Sequence, residues 1–388
     1  MAGAEARDCR PPGVPSTLEI GEMAFCFNFH EVQPLLAVGA TSGAVTMWGL
    51  EPGEEPDALH RLTYHTDACR AICFPDEEHF ISVSADQSVA LVDVNSTKVA
   101  WRMQEAHGAA INCVQSVGEA SHPTGLIASG DDDGALKLWD VRQRSCVLEF
   151  HDHQDFVSSI VVNEVMRMLV SSSGDGTLAA YNLRRGKLEL RSDQLEDELL
   201  SCALVKNGKL VLCGSQGGVL HTYKWGEWAD CSDRIPGHPT SIDCLAVLDE
   251  DTVLTGSSDG MVRLCTIQPH KLMGVLGDHG ENPIEEMIVR WPNESSAISP
   301  LPPMLATTAH DGLVKFWDLS KILAVDDDEA AEDSDSDDND SSDSSDEDDK
   351  PSRPDKRQKL LKQEVKKGAA VQASDDGRTT NESFFDDL

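Results

Sequence analysis

One phrase, clearest as SGDDDGALKLW at residues 129–139, returns along most of the chain. Its other copies are VGATSGAVTMW (38–48), VSADQSVALV (83–92), SSGDGTLAAY (172–181), GSQGGVLHTY (214–223), TGSSDGMVRLC (255–265) and TTAHDGLVKFW (307–317). Each runs small residues into a polar, usually acidic turn and then into an apolar strand. Aligned on Asp133, the equivalent residues are Ser42, Asp86, Asp175, Gln216, Asp259 and Asp311, spaced by 44, 47, 42, 41, 43 and 52 residues. A unit of ~40–45 residues cannot bury its apolar faces alone, so seven of them must pack on one another.

Each unit holds four strand-like pieces. A histidine (His65, His107, His153, His238 or His279) precedes an alternating segment such as INCVQSV (111–117) or SIDCLAV (241–247). Alternation at period two marks a strand whose two faces meet unlike surroundings. An apolar strand, the acidic turn and a third strand follow, and a fourth strand such as SCVLEF (145–150) comes after the Trp139-Asp140 pair. The glycine after the acid (Gly134, Gly176, Gly260, Gly312) permits positive φ in a tight turn. Four short strands in each of seven units predict an all-β, seven-bladed β-propeller. The last unit stops at Trp317-Asp318 after three strands, while TLEI (17–20) precedes the first unit without a partner. This N-terminal strand is expected to close the last blade and remove open sheet edges, so that deleting residues 1–24 destabilises the whole ring. The domain plan is a flexible N-terminus at 1–16, a propeller at 17–320 and a tail at 321–388.

Composition fits a chain of many short strands, with 29 Gly and 18 Pro among 388 residues and only 5% aromatic. The formal charge of −36 is shared, about −23 in residues 1–325 and −13 in 326–388. That sign disfavours direct nucleic-acid binding, which rests on Lys and Arg replacing phosphate counterions, although a small local basic patch stays open. No run approaches the ~20 apolar residues of a membrane span, and MAGAEARDCRPPGVPS lacks a signal-peptide core. A soluble, intracellular protein with no membrane partner is expected. Eleven cysteines without a CxxC pair indicate neither a disulfide framework nor a zinc knuckle.

Motifs that suggest chemistry fail their context tests. GSSDG (256–260) matches G-x-S-x-G, but a nucleophile elbow needs a helix after the serine and here a strand follows. Cys26, Cys73, Cys113, Cys202 and Cys244 fall at one position of the first strand in five units, which points to packing near the axis rather than to clustered ligands. No glycine-rich phosphate loop or HExxH is present. The reading is non-enzymatic, with no catalytic residue, cofactor or metal, and a propeller that is monomeric.

The repeated Trp139-Asp140 and Trp317-Asp318, the degraded Tyr181-Asn182 and Val92-Asp93, and the histidine at each unit start resemble the WD-repeat family. That resemblance implies a buried tetrad in which histidine bonds the turn acid and a strand hydroxyl, and the hydroxyl bonds the indole N–H. In blade three the tetrad would be His107, Ser129, Asp133 and Trp139, and in blade seven His279, Thr307, Asp311 and Trp317. Blades one, two and five depart from it at Ser42, Val92 and Gln216 and are expected to be more weakly clamped.

Longer stretches, residues 172–220, 224–234, 308–319 and FFDDL (384–388), resemble the WD repeat-containing protein 55 family. The resemblance implies a nuclear and nucleolar protein, with cytoplasmic presence open, that supports ribosomal RNA production and large-subunit assembly among pre-ribosomal factors. Plant members of that family imply a second role as substrate receptors on the cullin-4 ligase adaptor. LIASGDDDGALKLWDVR (126–142) matches the adaptor-binding signature of such receptors, with Trp139, Asp140 and Arg142 as its contact residues. A W-D-x-R run also occurs in propellers that never meet the adaptor, so both roles stay open.

The tail changes character. Residues 326–349 are acidic, and 325–349 hold 15 acids and no Lys or Arg, a composition expected to stay disordered. Ser334, Ser344 and Ser345 have an acid three residues on and are candidate phosphorylation sites. Residues 350–367 are basic, and Lys356, Arg357, Lys359, Lys366 and Lys367 resemble a nuclear-import signal. The paired phenylalanines of FFDDL either dock in a partner's groove or end the chain in solvent.

Overall fold

The apolar run before each acidic turn and the run after it become the second and third strands of one sheet. In the third repeat, Leu126–Asp131 pairs antiparallel with Leu136–Asp140, and Ile127 stands opposite Trp139. Pairing at period two sends Ala128, Leu136 and Leu138 to one buried face and Ile127 and Trp139 to the other. The fourth strand, Ser145–Phe150, lies outermost and is largely exposed, while the alternating Ile111–Val117 lies innermost.

The computed structural model describes residues 14–118, 124–292, 301–320 and 322–323. Residues 1–13 and the acidic, basic and FFDDL segments lie outside these described residues, with Ser334, Ser344, Ser345, Lys356, Arg357, Lys359, Lys366 and Lys367. Among the described residues, 28 strands form seven four-stranded antiparallel sheets. Blade one spans 24–63, blade two 69–103, blade three 111–150, blade four 157–191, blade five 199–235 and blade six 242–278. Blade seven combines 284–318 with Leu18–Glu19 as its outermost strand, as the sequence predicts.

Among the described residues seven apolar cores hold the ring together, each shared by two successive blades. One core joins Val38 and Phe27 of blade one to Val314 and Met304 of blade seven, with Leu18 between them, so the circle is closed. Antiparallel pairing sorts the turns onto two faces. The turns between second and third strands, together with the connections between blades, lie on one face, here the clamp face. Turns between first and second strands and between third and fourth strands lie on the opposite face. No described helix is long and apolar enough to cross a membrane.

Candidate functional site

Buried histidines populate the clamp face, and blade seven joins its four tetrad residues as expected. His279 Nδ1 donates to Asp311 at 2.7 Å and Nε2 accepts from the Thr307 hydroxyl at 2.8 Å. The same hydroxyl oxygen accepts the Trp317 indole N–H at 2.9 Å. Every buried polar atom of this hydrogen-bond network has a partner, which locks the second and third strands and their turn to the preceding blade's connection.

Blade three builds the same chain with a different acid. His107 Nδ1 lies 2.8 Å from Asp131, while Asp133 is exposed at the turn tip and takes no part. Ser129 Oγ links His107 at 2.7 Å to the Trp139 indole at 2.9 Å. The assignment of Asp133 is therefore corrected to Asp131. The second strand runs on through Asp131, which holds its side chain inside, and its other oxygen accepts the Asp133 and Ala135 N–H groups at 3.1 and 2.7 Å. Blade seven has Ala309 at this register and must use the later acid.

Blades two and four insert a hydroxyl between histidine and acid. His65 Nδ1 meets Ser88 at 2.9 Å, and Ser88 donates to Asp86; His153 meets Thr177 at 3.2 Å, and Thr177 donates to Asp175. An arginine from the fourth strand also reaches each acid, Arg102 and Arg191 at 3.0 Å. Blade two is thus clamped despite Val92: the Tyr64 hydroxyl bonds Ser82 at 2.7 Å, the place an indole would fill. In blade six Arg263 takes both oxygens of Asp259, so His238 Nε2 meets Thr255 at 2.8 Å and the Cys265 sulfur at 3.7 Å, and among the described residues its Nδ1 has no partner. Blades one and five have no such histidine, and among the described residues the buried Trp48 indole N–H of blade one has no acceptor. Burial pushes the His65 and His238 imidazoles down to about 4 and keeps them neutral. Burial also acts on Asp86, but the Ser88 hydroxyl, the Thr66 N–H and His65 outweigh it and hold the carboxyl well below its usual range. These groups are spent on structure.

The axis encloses a channel of about 920 Å³ lined by first strands. At its clamp-face mouth Arg70 bonds Asn112 and lies 3.2 Å from Asp132, and Asn112 reaches Asp132 at 2.7 Å. Asp243, Glu285 and Glu286 stand on the other side, and His310 pairs with Glu285. Burial pushes Glu286 up to about 8 even though it accepts the Phe27 N–H at 2.7 Å. Burial likewise pushes Asp243 up to about 6. None of these residues was singled out from the sequence. Their signal was polar residues at the starts of alternating strands, as in INCV, SIDC and PIEEM.

The cysteine reading is corrected in part. Cys26, Cys113 and Cys244 share one register, opposite Gly39, Gly130 and Gly256. Cys73 faces Ile81 and Cys202 faces Cys213, because the residues at the shared register are Ala71 and Ser201. Burial pushes the Cys73 thiol up to about 12 and Cys244 well above its ordinary value, so both stay protonated. Among the described residues no group of three or more His, Cys, Asp or Glu is placed to hold a metal.

On the opposite face lie Asp140 and Arg142. Trp139 is 2% exposed beneath them. Asp140 accepts the Arg142 and Gln143 N–H groups at 2.9 and 3.1 Å, and the exposed Arg142 lies against Gly125. The same turn cap recurs at Asn182, which accepts from Arg184 and Arg185, both at 3.1 Å, and at Asp318, which accepts from Ser320 at 2.9 Å. Asp140 therefore has a structural role whether or not a partner uses Arg142.

The family model described as WDR55 matches residues 15–322. The chain is 37% identical over 308 residues to WD repeat-containing protein 55 of Arabidopsis thaliana, covering 79% of this chain and 83% of that protein. It is 33% identical over 313 residues to WD repeat-containing protein 55 of Homo sapiens, covering 80% and 78%. To WD repeat-containing protein JIP5 of Coprinopsis cinerea it is 36% identical over 286 residues, covering 70% and 68%.

Proposed function

This chain belongs to the WD repeat-containing protein 55 family, and on that premise we propose that it is a nuclear and nucleolar scaffold for ribosomal RNA processing and large-subunit assembly. As a WD-repeat propeller it is a protein-interaction platform. The observation that carries the finer reading is the family match across the whole ring, because the family resemblance implies that role. The Lys356–Lys367 basic block beside an acidic run supports nuclear placement. Affinity capture of the full chain followed by mass spectrometry tests it. Pre-ribosomal proteins in the capture, and unprocessed precursor RNA on a blot after depletion, are expected; their absence overturns the reading.

A second reading is favoured by one feature, the exposed Arg142 above a fully bonded Trp139. There the propeller is a substrate receptor, and Arg142 offers its planar fork to carbonyls or carboxylates of the cullin-4 adaptor. Arg142→Ala is expected to abolish co-purification of the adaptor and to leave the melting temperature within about 1 °C, as for exposed substitutions. Retained adaptor in that variant rejects this role.

A further inference from the structure

The face opposite the clamps divides its charge by sector. In blades one and two its turns carry Glu51, Glu54, Glu55, Asp76, Glu77 and Glu78. In blades three to five they carry Arg144, Arg167, Arg184, Arg185 and Lys209, with Lys187 at the start of a fourth strand, all exposed, against Glu227 and Asp230 in the outer turn of blade five. The basic turns are contiguous: the Leu183 N–H bonds the Arg167 carbonyl at 3.1 Å, and Asn163 Nδ2 bonds the Gly208 carbonyl at 3.2 Å. Glu164, three residues before Arg167, is turned onto the Gly118 N–H at 2.5 Å. Among the described residues only Arg185 of the six has a carboxylate, Glu189 at 3.6 Å. A sector in which cations outnumber carboxylates, on a chain of net charge −36, calls for an anion.

The sequence carries one directly after described residues that lie on the same face. The third strand of blade seven ends at Asp318, and the Leu319 N–H bonds the Pro303 carbonyl at 3.0 Å, the contact that Leu183 makes to Arg167 in blade four. Residues 325–349 follow, with their 15 acids and no base. We propose that this acidic segment docks in cis on the basic sector of blades three to five. Blade four stands across the ring from blade seven, on the order of 45 Å away, counting two blades of three ~4.8 Å strand spacings and the channel between them. About 14 extended residues cover that distance, so the segment reaches the sector with residues to spare. Tethering holds it there at an effective concentration of order mM, ahead of any free polyanion at lower concentration. Phosphates on Ser334, Ser344 and Ser345 would each add about 1.5–2 negative charges and tighten the contact.

Docking in cis predicts two measurements on the full chain. Zero-length carboxyl-to-amine cross-linking at low salt is expected to join residues 325–349 to Lys187 or Lys209, within one molecule when light and heavy isotope-labelled protein are mixed. High salt, or the triple variant Arg167→Glu, Arg184→Glu and Arg185→Glu, is expected to abolish those links. Links that go only to the Lys350–Lys367 block, that spread over all exposed lysines, or that join light to heavy chains overturn the proposal. Replacing the acids of 325–349 by Asn and Gln is expected to raise affinity for a polyuridine probe about tenfold at 0.1 M salt, because the phosphates then meet an uncovered surface. Equal affinity before and after replacement also overturns it, whether the probe binds the sector or not.

Discussion

Two aspartates in one turn, two positions apart, have opposite energetic standing. Asp131 closes a buried hydrogen-bond chain and caps two backbone N–H groups, while Asp133 faces water. Asp131→Ala is expected to cost about 2–4 kcal/mol in urea unfolding, since it leaves the His107 N–H and the turn amides unpaired in a buried site. Asp133→Ala should fall within about 0.5 kcal/mol of the parent. Equal effects would restore the sequence assignment. That assignment slipped because the alignment was anchored on the glycine, whereas the acid that points inward depends on where the strand ends. The relays of blades two and four were legible, since Asp86-Gln87-Ser88 and Asp175-Gly176-Thr177 carry a hydroxyl two residues after the acid. Glu286 gives a pH test. Folded, it keeps its proton up to about 8, whereas an unfolded glutamate releases it near 4.5. The folded state therefore binds the extra proton between those values, and the stability this gives is full below 4.5 and lost as pH rises through 8. His65 and His238 act oppositely: lowered to about 4 from 6.5, their contribution is full above 6.5 and lost as pH falls towards 4. Asp243, raised to about 6, has given up most of its proton by pH 6.5 and titrates in both proteins of the comparison. In that window wild-type stability should fall relative to Glu286→Gln by no more than about 1.4 kcal/mol per pH unit, the limit for one proton. Parallel melting curves for the two proteins from pH 6.5 to 8 would count against a protonated, half-buried Glu286.

At the scale of strands, the ring depends on how closely first strands crowd the axis. Gly39, Gly130 and Gly256 sit in second strands opposite the channel cysteines. A methyl group on Gly256 would come within 2.5 Å of the Cys244 sulfur and 3.0 Å of Ile284 in the next blade. The residue opposite and the neighbouring blade both press on this point, so neither has room to yield. Gly256→Ala is expected to cost about 1–3 kcal/mol by overpacking, and Cys244→Ala in the same chain should recover part of that loss by removing the sulfur. Chemical denaturation of the two single variants and the double variant measures the coupling; strict additivity would mean the clash is relieved elsewhere. Second and third strands were readable because each repeats an apolar run on either side of a turn. Fourth strands such as KVAWRM (98–103) were less so, since their exposed outer face imposes no apolar pattern. The clamp of blade two was hidden for another reason: its hydroxyl donor, Tyr64, precedes the histidine, where the repeat gives no cue.

For the molecule as a whole, one short strand decides whether seven sheets form a ring or an arc. Leu18 pairs with Val314 and Glu19 with Leu313, and the Ile20 N–H bonds the Gly312 carbonyl at 3.0 Å. Leu18 is 2% exposed in the core shared by blades one and seven, so the strand adds apolar burial as well as its ladder. The first and last blades would still touch without it, through Phe27, Val38, Met304 and Val314. Removing residues 1–20 should therefore weaken the ring without unfolding it outright. Loss of a buried leucine and its ladder corresponds to about 3–5 kcal/mol. For a domain of this size that lowers the melting temperature by roughly 6–15 °C. The freed third strand of blade seven becomes an open edge, so amide exchange should rise first at Leu313–Asp318 and self-association should increase with concentration. Leu18→Ala separates the two contributions: it keeps the backbone ladder and should retain exchange protection at Val314 while losing about 2–4 kcal/mol of stability. If truncation leaves both the melting temperature and the exchange at Leu313–Asp318 unchanged, the ring is held shut by blades one and seven alone, and the N-terminal strand only covers an edge.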